Sequence, residues 1–68
     1  MLLIFGKDTC PYTNAARAHY LSRSTEFQFI NVKNDPAELE RMLAYSGGKT
    51  EIPVIVDGDT VTIGFGGT

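Results

Sequence analysis

Residues 1–13 read MLLIFGKDTCPYT, and they predict a strand, a loop and the start of a helix in that order. The apolar run 1–5 is short enough for a strand that is buried on both faces. The mainly polar segment 6–9 then forms a loop. Cys10-Pro11 predicts the beginning of a helix, because proline is favoured at the first helical position, where its missing N–H costs nothing.

The first helix is predicted to cover residues 11–23. Small and aromatic side chains recur along it at helical spacing, and the alanines permit close packing. The residues at this spacing are Tyr12, Ala15, Ala16, His19 and Tyr20.

Residues 27–32, FQFINV, predict a second strand. Because side chains alternate across a strand, Phe27 and Phe29 share one face, and Ile30 and Val32 fill the other.

Asp35-Pro36 predicts the start of a second helix. Asp35 can cap the helix, Pro36 takes the first helical position, and Glu38 is placed to complete a capping box. Gly47-Gly48 ends the helix, because glycine tolerates the left-handed conformation found there. The apolar side chains that fall on one face of this helix are Leu39, Met42 and Leu43.

The remaining segments predict a hairpin. Residues 52–56 and 60–63 form its two strands, and Asp57-Gly58 is a two-residue turn signal. The order strand, helix, strand, helix, strand, strand predicts an α/β fold. Its first strand–helix–strand unit is parallel, its last two strands are antiparallel, and its helices cover a four-stranded mixed sheet in two or three layers.

Composition narrows the class of protein. The 68 residues are 43% hydrophobic and 21% charged, which is ordinary for one folded domain spanning residues 1–68. A net charge of −2 with no basic run argues against a nucleic-acid partner. The apolar run at the start is too short for a signal peptide or a membrane span, so a soluble, cytoplasmic protein is expected.

Cys10 is the only cysteine and His19 the only histidine. One cysteine cannot form an internal disulfide, and one of each cannot supply the four ligands of a structural zinc site. No metal site is therefore expected. His19 lies about 13 Å along the helix from Cys10, too far to act as its base, so packing or solvent exposure is the expected role.

The position of Cys10 favours a reactive thiolate. Unpaired N–H groups and the helix dipole place positive charge at a helix N-terminus, and Lys7 lies in the preceding loop. Both features stabilise a thiolate and lower the cysteine pKa. The alternative is a buried cysteine that acts as a small hydrophobic residue.

Three motifs resemble the glutaredoxin family. Residues 7–13, KDTCPYT, resemble its active-site segment, in which a lysine precedes Cys-Pro-Tyr by three positions. Glu51-Ile52-Pro53 resembles its Thr-Val-Pro segment, whose proline is cis, and Phe65-Gly66-Gly67 resembles its glutathione-binding turn. The resemblance covers nearly the whole chain, and it implies a thioredoxin-like fold and a glutathione-dependent thiol–disulfide oxidoreductase.

The resemblance also implies roles for single residues. Cys10 would attack glutathione mixed disulfides, with glutathione as co-substrate and glutathionylated or disulfide proteins as substrates. Lys7 would attract a glutathione carboxylate, with a solvated loop lysine as the alternative. Tyr12 would wall the groove or else serve helix packing, and Thr13 would hydrogen-bond the thiolate or nearby backbone. Another low-molecular-weight thiol could take the place of glutathione.

Three further positions would hold the tripeptide. Ile52 would pair its backbone with the cysteinyl part of glutathione, next to a cis Pro53. Gly66 and Gly67 would present N–H groups to the γ-glutamyl carboxylate, as in a nest-like anion site. A mobile tail is the alternative for these two glycines.

The chain also departs from the family pattern. Thr13 occupies the place of the second cysteine of two-cysteine glutaredoxins, which leaves a monothiol mechanism. The protein is expected to be a monomer. Glu51 replaces the usual threonine, and the third helix of the family does not follow Thr68. A shortened chain is therefore expected, with one explanation being a selenocysteine codon read as a stop.

A binding function is the alternative to catalysis. Two copies of the chain could hold an iron–sulfur cluster with one Cys10 and one glutathione each, which supplies four thiolates. Pro11 and Tyr12 disfavour this, because cluster carriers of the family usually have a small, flexible residue after the cysteine.

Overall fold

The computed structural model describes residues 1–66. Its elements are β1 (Leu2–Gly6), α1 (Pro11–Ser22), β2 (Phe27–Asn31), α2 (Pro36–Ser46), β3 (Val54–Asp57) and β4 (Thr60–Ile63). The predicted order of elements is confirmed. Gly67, predicted to bind an anion, and Thr68 lie outside the described residues.

The four strands form one mixed sheet in the order β2-β1-β3-β4. β1 pairs with β2 in parallel, and Ile4 lies opposite Phe29. β1 pairs with β3 antiparallel, and β3 pairs with β4 antiparallel. The predicted parallel unit and terminal hairpin are both present, so the fold is thioredoxin-like.

Each helix covers a different face of the sheet, which gives three layers. Ala16 of α1 packs with Leu2, Ile4 and Ile55 on one face. Met42 of α2 packs on the other, against a buried cluster that comprises Phe5, Ile30, Val32, Val54 and Val56. The two phenylalanines of β2 fall on the α1 side, whereas Ile30 and, just after the strand, Val32 fall on the α2 side, as the alternation predicts.

Gly6 and Pro53 shape the end of the sheet from which the chain continues to Cys10. Gly6 continues β1 one residue beyond the predicted end, because it pairs with Asn31 and its carbonyl accepts the Val32 N–H at 2.9 Å. β3 begins at Val54, so the predicted strand start at Ile52 is wrong. Pro53 has no N–H to give to a strand ladder, and its carbonyl instead accepts the Gly64 N–H at 2.8 Å.

The hairpin turn also differs from its prediction by one residue. Asp57 pairs with Thr60, so the two central residues are Gly58 and Asp59 rather than Asp57 and Gly58. Gly58 has φ +59, which suits the first central position of a type II′ turn.

The capping of α2 is half of what the sequence predicts. The Glu38 N–H donates to Asp35 Oδ1 at 3.2 Å, as expected of an N-cap. The reciprocal bond of a capping box is replaced: the Asp35 N–H donates to the Val32 carbonyl, and the Glu38 carboxylate lies 3.5 Å from the Arg41 guanidinium. Gly47, at φ +70, ends the helix as predicted.

The buried side of α1 is not the predicted one throughout. Ala16 is buried, but Tyr12 and Ala15 are exposed, and Thr13 is completely buried. The start of the helix is rotated so that Thr13 meets β1 at Gly6. Neither described helix is long and apolar enough to cross a membrane.

Candidate functional site

Cys10 is held at the start of α1 by backbone hydrogen bonds on both sides. Its N–H donates to the Lys7 carbonyl, and its carbonyl accepts the Asn14 N–H, each at 3.0 Å. It is the N-cap residue, with extended φ −89 and ψ 121, and its side chain is partly buried. The thiol is therefore both positioned and reachable.

The surroundings of Cys10 favour its thiolate. Burial raises the Cys10 pKa, but hydrogen bonding by the Thr13 N–H, the Thr13 hydroxyl and the Tyr12 N–H, together with the charge of Lys7, brings the pKa below its ordinary value. The Cys10 side chain makes no capping hydrogen bond to the helix. A thiolate accepts hydrogen bonds more strongly than a thiol does, so these donors favour the deprotonated form.

Thr13 has an unusual environment for a hydroxyl residue. Its side chain is completely buried, and Oγ1 has no hydrogen-bond partner among the described residues. A buried hydroxyl without a partner costs about 1–3 kcal/mol. The same hydroxyl lowers the pKa of Cys10, so the thiolate is the acceptor that would relieve this cost.

A side-chain network that the sequence did not reveal braces the loop before Cys10. The Asn14 amide donates to the Asp8 carbonyl at 2.8 Å, and Arg17 donates to Asn14 Oδ1 at 3.2 Å. The Arg17 guanidinium also lies over the Phe29 ring, 4.1 Å from its centroid. The network thus links the cysteine loop, through α1, to β2.

A cavity of about 370 Å³ adjoins the cysteine loop. Lys7 and Ile52, both predicted to bind glutathione, line it together. Lys33, which the sequence analysis did not single out, brings a second positive charge. The other lining residues are Val32, Asn34, Leu39, Met42 and Thr50. Two ammonium groups beside apolar side chains suit a small ligand with a carboxylate.

Other predicted residues lie outside this cavity. The cavity is not lined by five predicted site residues that the structure describes, namely Cys10, Tyr12, Thr13, Pro53 and Gly66. The Ile52–Pro53 peptide bond is cis, as predicted, and Pro53 is buried. Tyr12 is 42% exposed, which is compatible with the wall of an open groove. Glu51 is exposed.

Gly66 follows a residue that docks against α1. The Phe65 ring lies 5.4 Å from the His19 ring, which also meets Tyr20 edge-on at 5.0 Å between centroids. His19 therefore packs against Tyr20 and Phe65, which is one of its two expected roles, and it helps to position the segment before Gly66. Gly66 itself is exposed with φ +71, a conformation that glycine adopts without strain.

A larger cavity, of about 510 Å³, lies at the other end of β1, where Met1, Leu21 and Phe27 contribute to its lining. It is separate from Cys10. Within residues 1–66, no group of three or more histidine, cysteine, aspartate or glutamate side chains is placed to hold a metal ion.

Sequence comparison relates the chain to known proteins. The family model described as glutaredoxin matches residues 2–61. Glutaredoxin 3 of Escherichia coli K12 is 33% identical over 54 residues, which cover 79% of this chain and 65% of that protein. An uncharacterized glutaredoxin-like 8.6 kDa protein from the rubredoxin operon of Clostridium pasteurianum is 32% identical over 66 residues, covering 96% and 85%.

Comparison with solved structures shows the same fold in other proteins. A glutaredoxin from Archaeoglobus fulgidus superimposes with a TM-score of 0.84 at 24% identity, covering 96% of this chain and 75% of that one. The glutaredoxin-like NrdH-redoxin of Escherichia coli, described as having a thioredoxin-like activity profile, gives 0.82 at 28% identity, covering 94% and 82%. A buckwheat glutaredoxin–glutathione complex gives 0.76 at 20% identity, covering 93% and 59%. With a family match over residues 2–61 and Cys10 at the start of α1, the chain belongs to the glutaredoxin family.

Proposed function

We propose that this chain is a glutathione-dependent thiol–disulfide oxidoreductase that works through Cys10 alone. The observation that carries the proposal is a partly buried cysteine at the N-cap of α1, with a pKa below its ordinary value. The 68 residues contain no second cysteine, so they cannot form the internal disulfide of a dithiol cycle. Membership of the glutaredoxin family supports this reaction class.

The cycle begins with attack on a glutathione mixed disulfide. The Cys10 thiolate forms a bond to the glutathione sulfur, the original S–S bond breaks, and the substrate thiolate leaves and takes a proton. A glutathione thiolate then attacks the glutathione sulfur bound to Cys10. Oxidised glutathione leaves, and the Cys10 thiolate is restored. Over the whole cycle, one glutathione thiol is consumed: the protein sulfur of the mixed disulfide becomes a thiol, and its former glutathione partner leaves joined to the incoming glutathione as one disulfide.

The remaining residues hold the glutathione moiety. Lys7 attracts a carboxylate from the side of the cavity that it shares with Ile52. The Ile52 backbone pairs with the cysteinyl part, as an added strand would. Tyr12 walls the groove, and Gly66 and Gly67 receive the γ-glutamyl carboxylate. A reduced, cytoplasmic setting suits this cycle, because Cys10 must stay free as a thiolate between turnovers.

Reduction of a glutathionylated peptide, coupled to glutathione reductase and NADPH, tests the proposal. Wild-type protein is expected to turn over, and Cys10→Ser is expected to lose at least 100-fold in kcat/KM because the nucleophile is gone. Equal activity of the two proteins would overturn the proposed role of Cys10.

A second candidate comes from the NrdH-redoxin likeness. That protein is described as having a thioredoxin-like activity profile and is 28% identical to this chain. In the same assay, thioredoxin reductase can replace glutathione and glutathione reductase. Turnover with thioredoxin reductase and none with glutathione would favour this second function over the first.

A further inference from the structure

The last residue of β1 and the third residue of α1 are in unusually close contact. A Cβ added to Gly6 would lie 2.6 Å from Thr13 Cγ2 and 3.0 Å from Thr13 Cβ, and closer still to Thr13 Oγ1. Ordinary contacts between carbon atoms are about 3.5–4.0 Å. Only a residue without a side chain therefore leaves Thr13 where it lies.

The requirement for glycine at this position is purely steric. Gly6 is not among the glycines with positive φ, so its backbone conformation is open to alanine. The strand cannot withdraw either, because Gly6 pairs with Asn31 and its carbonyl binds the Val32 N–H at 2.9 Å. Any clash would consequently fall on the Thr13 side chain and the first turn of α1.

The Thr13 side chain is important because its hydroxyl is buried near the start of α1. It is completely buried, and its hydroxyl has no acceptor among the described residues. A buried hydroxyl is favoured at this place only if a nearby group accepts a hydrogen bond from it. Cys10 lies three residues earlier, at the N-cap of the same helix.

We propose that Gly6 is a positioning residue for Cys10: by leaving room for Thr13, it seats the buried hydroxyl as a hydrogen-bond donor to the Cys10 thiolate. The inference rests on the proposed function for its catalytic meaning, but the contact itself does not. The three atoms nearest to a Cβ built on Gly6 all belong to Thr13, so the effect of Gly6 on Cys10 passes through Thr13. Gly6 and Thr13 are thus a matched pair, in which a small residue on β1 permits a branched residue on α1.

A double-mutant cycle on the Cys10 pKa tests this pairing. The pKa is read from thiolate ultraviolet absorbance and from the pH dependence of alkylation by iodoacetamide, neither of which needs glutathione. Thr13→Val removes the hydroxyl and keeps the shape, and it is expected to raise the pKa by roughly one unit. Gly6→Ala is expected to raise it by a similar amount, and Gly6→Ala/Thr13→Val no further.

A second set of variants covers the case in which Gly6→Ala fails to fold. Thr13→Ser retains the hydroxyl and removes Cγ2, so Gly6→Ala/Thr13→Ser has less to displace. We expect its Cys10 pKa to exceed that of Thr13→Ser alone. Thr62→Ala, on the exposed part of β4, is the control and is expected to leave the pKa unchanged.

Two results would overturn the proposal. The first is an additive rise in the cycle, since independent residues show no coupling. The second is a Gly6→Ala protein, or the Gly6→Ala/Thr13→Ser protein, that is less stable to urea but has the Cys10 pKa of its Gly6 parent. Failure of the glutathione assay with these pKa shifts intact would instead count against the proposed function alone.

Discussion

The Asn14 side chain reaches back from the first turn of α1 and donates a 2.8 Å hydrogen bond to the carbonyl of Asp8. This bond closes the loop that carries Cys10 onto the helix that carries Thr13. Arg17 fixes the same amide from the other side through Oδ1. These two side-chain hydrogen bonds therefore hold the loop in place against α1, which the polar residues of the loop do not do by themselves.

Replacing Asn14 is expected to loosen the loop. Asn14→Ala should lower the free energy of unfolding by about 0.5–1.5 kcal/mol, as loss of one hydrogen bond does. It should also lower kcat/KM for a glutathionylated peptide several-fold, because Cys10 samples more positions. Urea unfolding and the coupled assay measure the two effects.

Ser22→Ala is the matched control for Asn14. The Ser22 hydroxyl donates a 2.8 Å bond to the His19 carbonyl at the far end of α1. Its loss is expected to cost similar stability and leave kcat/KM unchanged. Equal loss of activity in both variants would show that Asn14 acts through general stability and not through the loop.

The reactivity of Cys10 should follow its lowered pKa. Alkylation is expected to rise with pH and to level off below the ordinary value of 9.0, because the folded protein holds the thiolate at lower pH. Lys7→Met should shift the profile to higher pH, since its charge contributes to the lowering. A wild-type profile that matches that of free cysteine would contradict the thiolate site.

The same shift makes stability depend on pH in a defined direction. The thiolate is favoured more in the folded chain than in the unfolded one, so the folded state binds fewer protons over this range. The contribution of Cys10 is fully present above about pH 9 and is lost as the pH falls through the lower, folded pKa. Between these limits, the urea midpoint of Cys10→Ser should change less with pH than that of the wild type. The same pH dependence in both proteins would argue against the lowered pKa.

A substitution in the buried core of the sheet should cost more unfolding free energy than one at an exposed position. Ile4 is completely buried between its strand neighbours, so Ile4→Val is expected to cost about 0.5–1.5 kcal/mol of unfolding free energy. Val61 is 39% exposed on β4, and Val61→Ala should cost less. Urea unfolding of the two variants gives the comparison, and a larger loss at Val61 would contradict the described packing.

Local signals were enough to predict the order of elements. Pro11 and Pro36 at helix starts, Gly47 at a helix end and the apolar run of β1 act within a few residues, so the sequence carries them directly. The position of Cys10 was also predicted from a local signal, the start of a helix. The cis Pro53 was predicted from the family resemblance.

Long-range packing accounts for what the sequence did not predict. Tyr12 and Ala15 have the spacing of a buried face, but the contact of Thr13 with Gly6 turns the helix start away from them. Lys33 joins Lys7 only because β1 and β2 are parallel neighbours whose ends meet at one edge. Such juxtapositions depend on the sheet order and are absent from any short motif.

The two lysines of the cavity should differ in what their removal changes. Lys7→Met is expected to raise the KM for glutathione, because the carboxylate loses a positive charge that attracts it. It is also expected to raise the Cys10 pKa, because the charge of Lys7 lowers that pKa. Lys33→Met is expected to raise KM by about 1.5- to 5-fold, as loss of an exposed ionic contact does, and to leave the Cys10 pKa unchanged. Both effects on KM should shrink as salt is added, since exposed charges are screened.

Lys49→Met provides the control for both lysines, because Lys49 is exposed and does not line the cavity among the described residues. Initial rates at several glutathione concentrations, at low and high salt, separate the cases. If Lys33→Met behaves like Lys49→Met, the second charge plays no part in binding, and Lys7 alone serves the carboxylate. If Lys33→Met also raises the Cys10 pKa, both ammonium groups act on the sulfur, and Lys33 is then more than a binding charge for the carboxylate.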